Sequence, residues 1–135
     1  QELDVSDTVK LLGWKQQQEV VDILDKAHIL IAPSVTAKNG DREGIPNVLK
    51  EAMAMGLPVI GTRHSGVPEL VQDGITGCLV PERDADALAE KLSYLIENPQ
   101  LWMQMGRSGR KLVEDDYDSN KLNDELVEIY QQLLT

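Results

Sequence analysis

The spacing of apolar residues alternates between two periods along the chain. Residues 17–27 carry apolar side chains at helical spacing, whereas residues 28–32, 58–62 and 77–80 form short, continuously apolar runs. In residues 8–13, polar and apolar residues alternate and then give way to an apolar run that ends at a glycine. This pattern predicts one amphipathic helix and four strands.

Helices are predicted between the later strands and after the last one. Pro46 suits the first turn of a helix that ends at Gly56, and residues 67–72 form a short second helix. Three more helices are expected at residues 84–98, after Asn98-Pro99, and from Ser119 onward. Strands that are apolar on both faces and separated by helices indicate an α/β fold with a doubly wound, Rossmann-like parallel sheet.

Composition indicates one domain, residues 1–135, with 41% apolar residues and a formal net charge of −10. This charge excludes nucleic acid as a partner. The single cysteine, Cys78, excludes an intrachain disulfide, and the His and Cys spacing fits no metal site. A single cysteine fits a reducing compartment, so we expect a cytoplasmic protein. No apolar run reaches the ~20 residues of a membrane span. The chain opens without Met, and we interpret it as a fragment truncated at its N-terminus.

Candidate chemistry lies where ligands bind in open α/β sheets, beyond the carboxyl ends of the strands. There the sequence reads Glu43-Gly44-Ile45-Pro46-Asn47, and Glu51 shares a helix face with Asn47 at i, i+4. Two carboxylates can accept hydrogen bonds from sugar hydroxyls, and the backbone N–H groups of residues 44–48 suit a phosphate. The arrangement predicts a nucleotide-sugar site.

Other interpretations of these residues stay open. Glu43 and Glu51 can be solvated, or can act as the acid and base of a glycoside hydrolase, which requires both to face one bond. Arg63 and His64 can line the crevice, although a loop histidine is more often solvated. No nucleoside triphosphatase or dinucleotide fingerprint is present.

The segments from Glu43 to Asn47, from Glu51 to Ile60, and Gly66-Val-Pro-Glu69 together resemble the C-terminal domain of retaining glycosyltransferases of family four. These enzymes have the GT-B fold, and residues 33–51 are most similar to bacterial exopolysaccharide enzymes of the colanic acid type. The resemblance implies that Glu43 contacts the donor sugar and Glu51 the ribose. It places Gly44, Ile45 and Pro46 against the sugar and diphosphate.

The same resemblance places Gly13 and Trp14 beside the base, although Trp14 can equally be a packing residue. It implies transfer of a hexose from a nucleoside diphosphate sugar to a lipid-linked or polysaccharide acceptor, by front-face attack and without a metal or cofactor. The whole enzyme is expected in the cytoplasm or peripherally at the inner face of the membrane. A non-catalytic nucleotide-sugar binding or interaction module is the alternative.

The family's acceptor domain, and the basic residues that hold the diphosphate, have no counterpart in this sequence, so we expect the isolated chain to be inactive. The family's strand order, 3-2-1-4-5-6, makes residues 8–13 the third strand and leaves the first two absent. Unpaired strand edges are templates for pairing. We therefore expect residues 8–13 to pair with the strand at 28–32, or the fragment to form a homodimer.

Overall fold

A computed structural model of the chain describes residues 4–36 and 45–134. The elements are α1 (Gln17–Lys26), β1 (Leu30–Ala32), α2 (Asn47–Ala54), β2 (Val59–Thr62), α3 (Val67–Leu70), β3 (Gly77–Val80), α4 (Ala85–Glu97), α5 (Gln100–Asp116) and α6 (Ser119–Leu134). Every helix predicted from the sequence is present, with its ends shifted by a few residues. Three of the four predicted strands are also confirmed.

Within the described residues, β1, β2 and β3 form one parallel sheet with β2 in the centre. Leu30 lies opposite Val59 in the β1–β2 pair, and Val59 lies opposite Gly77 in the β2–β3 pair. Parallel neighbours require a crossover connection. α2 leads from β1 to β2, and α3 leads from β2 to β3. This connectivity brings the carboxyl ends of all three strands to one edge.

The sheet is buried on both faces. Alternate residues of one strand contribute to different apolar clusters, as Val59 and Ile60 do in β2. Helices α1, α2 and α3 pack on the first cluster and α4 on the second, and α5 contributes to both. Full burial of a side chain such as Leu49 or Leu95 contributes roughly 1.5–3 kcal/mol. The predicted doubly wound α/β architecture is confirmed.

The strand predicted at residues 8–13 is wrong. The Val5 carbonyl accepts hydrogen bonds from the amides of Thr8 and Val9, which close a turn. No strand follows this turn before α1. Leu11 is 94% exposed. A strand needs a neighbour for its N–H and C=O groups, and no described strand pairs with this segment. The expected pairing of residues 8–13 with β1 is therefore wrong as well, since in the described chain β1 pairs with β2.

Candidate functional site

The site begins at the N-terminus of α2, on the edge of the sheet where the strands end. Pro46 is the N-cap, and among the described residues no side chain caps the helix. Helix geometry leaves the first backbone N–H groups, those of Asn47 and Val48, without acceptors inside the helix. Aligned N–H groups and the helix dipole attract an anion, with a contribution of about 0.3–1 kcal/mol at an exposed site. This end of α2 is therefore suited to bind a phosphate.

Four of the predicted donor-binding residues, Ile45, Pro46, Asn47 and Glu51, are described by the structure. The two others, Glu43 and Gly44, lie outside the described residues, so their roles stay predictions. Asn47 is exposed and Glu51 half-buried. Among the described residues, none donates a hydrogen bond to the Glu51 carboxylate, so that carboxylate is available to a ligand.

Helix α2 is held firmly behind this site. Its opposite face carries Leu49, Ala52 and Met53, all fully buried in the first apolar cluster. Because α2 also packs along α5, the position of Glu51 relative to the sheet is fixed by the core rather than by contacts of its own side chain.

The residues that follow β1 are hydrogen-bonded to residues at the ends of β2 and β3. The Thr62 hydroxyl donates to the Ser34 carbonyl at 2.5 Å, and the Arg83 guanidinium donates to the Thr36 carbonyl at 2.7 Å. The Thr36 hydroxyl donates to a carboxylate oxygen of Glu82 at 3.2 Å. These bonds fix residues 34–36, which lead toward α2.

His64 differs from the solvated loop histidine expected from the sequence, because it is only 1% exposed. Its Nδ1 lies 2.5 Å from Oε1 of Glu82 and 3.5 Å from the hydroxyl oxygen of Thr36. The hydrogen bond from His64 is the largest cause and lowers the pKa of Glu82. Desolvation, the next largest cause, raises this pKa, and hydrogen bonds from the backbone and side chain of Thr36 lower it. The three residues form one polar cluster.

The turn after His64 also contacts the residue that precedes Pro46. A Cβ added at Gly66 would lie 2.8 Å from Cγ1 of Ile45, so only glycine allows this close approach without displacing Ile45. The turn at residues 64–66 therefore contacts the chain at two places, Thr36 through the polar cluster and Ile45 through van der Waals packing.

Sequence reasoning missed Thr36 and Glu82. Both follow strands at the same edge of the sheet, Thr36 after β1 and Glu82 after β3. The available signal was a polar residue close behind the end of each parallel strand, with His64 in the corresponding place after β2. A cavity of about 400 Å³ is lined by Thr36, Arg63, Ser65, Pro81 and Glu82.

The predicted base-side residues are not brought to α2 by any contact among the described residues. Gly13 has a φ of 71° and leads into Trp14, which is 85% exposed. The packing role considered for Trp14 is therefore not realised in the described chain. The role beside the base stays a prediction.

The two arginines described at this edge are already engaged. Arg63 forms an exposed ion pair with Asp73 at 3.4 Å, and Arg83 holds the Thr36 carbonyl. Across residues 4–36 and 45–134, no cluster of three or more His, Cys, Asp or Glu residues could hold a metal ion. In the same residues, no helix is long and apolar enough to cross a membrane.

Comparison with known proteins agrees with this architecture. Residues 1–98 match the family described as glycosyl transferases group 1. The amylovoran biosynthesis glycosyltransferase AmsK of Erwinia amylovora is 43% identical over 130 residues, which cover 96% of this chain and 32% of that protein. A protein of Escherichia coli K12 named for colanic acid biosynthesis is 42% identical over 135 residues, which cover 98% of this chain and 33% of that protein.

A solved structure shares the fold. The Anabaena protein HepE, in complex with UDP and glucose, superposes with a TM-score of 0.84 at 23% identity, covering 97% of this chain and 34% of that one. The chain spans about a third of the length of the relatives it matches. Its fold is that of the C-terminal domain of GT-B proteins. The chain belongs to the glycosyl transferases group 1 family.

Proposed function

We propose that this chain is the donor-binding domain of a retaining glycosyltransferase that moves a hexose from a nucleoside diphosphate sugar to a lipid-linked or polysaccharide acceptor. The observation that carries the proposal is the uncapped N-terminus of α2 at the carboxyl edge of a parallel sheet, with Glu51 one turn further on the same helix. Family membership and exopolysaccharide relatives support it.

Each part of the donor has a proposed partner. The N–H groups at the start of α2 bind the diphosphate, together with the backbone of Gly44, Ile45 and Pro46. Glu51 accepts hydrogen bonds from the ribose hydroxyls, and Glu43 from the hydroxyls of the sugar.

The chemistry of this domain consists mainly of positioning and charge stabilisation. Departure of the nucleoside diphosphate develops negative charge on its phosphate oxygens, and preorganised N–H groups stabilise that charge without reorganising. The Glu43 carboxylate orients the sugar and stabilises the positive charge that develops at its anomeric carbon. The acceptor then attacks from the same face as the leaving group. The proposed reaction requires no metal.

The role proposed for Glu51 argues against a glycoside hydrolase. A hydrolase requires two carboxyl groups that flank one glycosidic bond, roughly 5 to 9.5 Å apart. Glu51 is fixed on α2 beside the helix N-terminus, where a ribose next to a bound diphosphate would occupy it. A carboxylate occupied in this way is not free to act on the glycosidic bond.

The test is calorimetric titration of uridine, guanosine and adenosine diphosphate sugars into this chain and into a longer protein that contains it. We expect saturable binding of one of the three sugars. The binding should survive Glu90→Gln, a matched change on the outer surface of α4, and should weaken with Glu51→Gln. If none of the three donors binds to either protein, the proposed function is wrong.

A further inference from the structure

We propose that His64 is a positioning residue for donor binding, which acts by fixing the chain on both sides of the segment that carries Glu43. The inference rests on the proposed donor site and adds to it a residue that need not touch the donor. Three observations support it: the rigid turn that carries His64, the polar cluster around its Nδ1, and the two contacts that this turn makes.

The backbone holds His64 in one place. Its N–H donates to the Thr62 carbonyl at 2.8 Å, and its carbonyl accepts from the Val67 amide at 2.9 Å. The next residue, Ser65, has a φ of 48°, in the left-handed region that a side chain rarely adopts. A turn with both backbone groups bonded and one strained residue has little freedom to move, so it is a firm support for its neighbours.

The His64 imidazole is buried but makes a polar contact. Nδ1 lies against the Glu82 carboxylate, and because a carboxylate accepts, this contact places a proton on Nδ1. In the part of the chain that the structure describes, Nε2 is buried and has no hydrogen-bond partner. Burying an unpaired nitrogen costs free energy, so an apolar side chain would pack better here if packing were the whole role. The bond from Nδ1 is the contribution that an apolar side chain could not make.

That bond sets the position of Thr36. Glu82 accepts from both His64 and the Thr36 hydroxyl, and Arg83 holds the Thr36 carbonyl at 2.7 Å. On the other side, Ile45 packs against Gly66 of the same turn. The turn at residues 64–66 is therefore a common anchor for Thr36 and Ile45, the described residues that flank Glu43 and Gly44. Fixing them in advance reduces the ordering required when the donor binds.

Two substitutions separate the two ring nitrogens. In His64→Asn the amide nitrogen takes the place of Nδ1 and can still donate to Glu82, whereas in His64→Gln the amide reaches the place of Nε2. Calorimetry with the preferred nucleoside diphosphate sugar measures affinity at 25 °C, and thermal melting confirms that each variant is folded at that temperature. Hydrogen exchange of the Val35 and Thr36 amides measures the anchor without any donor.

We expect His64→Gln to weaken donor binding about tenfold and to speed exchange at Thr36, while His64→Asn stays within about twofold of the parent. Glu82→Ala should weaken donor binding as much as His64→Gln does. The double variant that combines these two changes should lose no more donor affinity than either single variant. Equal affinity of the parent and His64→Gln would overturn the inference and leave the proposed function standing. Equal losses in the Asn and Gln variants would also overturn it, and a parent that binds no donor would overturn both.

Discussion

Gly106 of α5 lies against the backbone of Gly56, so closely that a Cβ at position 106 would overlap the Gly56 carbonyl oxygen. Gly56 ends the turn between α2 and β2 with a φ of 80°. This contact sets the distance between α5 and the turn. Since the obstacle is backbone rather than a flexible side chain, nothing nearby can yield without moving an element of the core.

The first prediction concerns this contact. Gly106→Ala should lower the free energy of unfolding by about 1–3 kcal/mol, despite the better helix propensity of alanine, because backbone must shift to accommodate the methyl group. Gly109→Ala is the matched control on the same helix, where the new Cβ would meet the flexible end of Met53 at 3.3 Å. Urea denaturation measures both variants. Equal stabilities would show that α5 approaches the turn less closely.

The second prediction separates the roles of the two glutamates. In a longer protein that carries this chain and an acceptor domain, Glu51→Gln should weaken nucleoside diphosphate binding by about 1–3 kcal/mol, because a neutral amide replaces a charged acceptor of the ribose hydroxyls. Glu43→Gln should leave that binding unchanged and reduce turnover with the complete donor. Calorimetry with the free nucleoside diphosphate and steady-state kinetics distinguish them. Identical binding by both variants and the parent would contradict the assignment.

The third prediction is that the 135-residue chain transfers no sugar, with or without added divalent metal. We expect the acceptor groups and the basic residues that hold the diphosphate to lie outside this sequence, and holding both reactants together supplies much of the reduction in barrier. Release of nucleoside diphosphate from a labelled donor, with the longer protein as positive control, measures this. Turnover by the chain alone would show that all the reacting groups lie within it.

The fourth prediction follows from the lowered pKa of Glu82, for which the hydrogen bond from His64 is the main cause. A carboxyl whose pKa is lower in the folded than in the unfolded state stabilises the fold above its ordinary value of 4.5, and this contribution disappears as the pH falls through the folded value. The parent should therefore lose more stability between pH 7 and acid pH than Glu82→Gln does. Thermal melting across this range measures the difference, and parallel curves would contradict it.

The fifth prediction concerns self-association, for which we expect a dimer in solution. Leu11 and Trp14 are exposed near the start of the chain, and no described strand pairs with the outer edge of β1. Leu11→Glu should shift the chain toward monomer in sedimentation velocity, while Ile75→Glu, which also replaces an exposed apolar residue, should not. A monomeric parent chain at high concentration would contradict the expectation.

Patterns that are local in the sequence predicted most of the fold. The continuous apolar runs around Ile31, Ile60 and Leu79 identified the strands, because residues buried on both faces of a sheet must all be apolar. Pro46 marked the start of α2 for an equally local reason. The run ending at Gly13 misled, since an apolar alternation becomes a strand only when another strand bonds to it, and no described strand bonds to this run.

The polar part of the site depended on long-range contacts instead. His64 is buried and donates a hydrogen bond to Glu82, 18 residues further along the chain. Thr36 joins the same cluster from 28 residues before His64. No periodicity within one element reports such a contact, so the sequence identified the neighbourhood of His64 but not its burial.

The common anchor of Thr36 and Ile45 has a consequence for the ends of β1 and α2. One turn holds a residue that follows β1 and a residue that precedes α2. A displacement of residues 64–66 would therefore move both of these ends together. β1, α2 and the turn keep their relative positions as one unit.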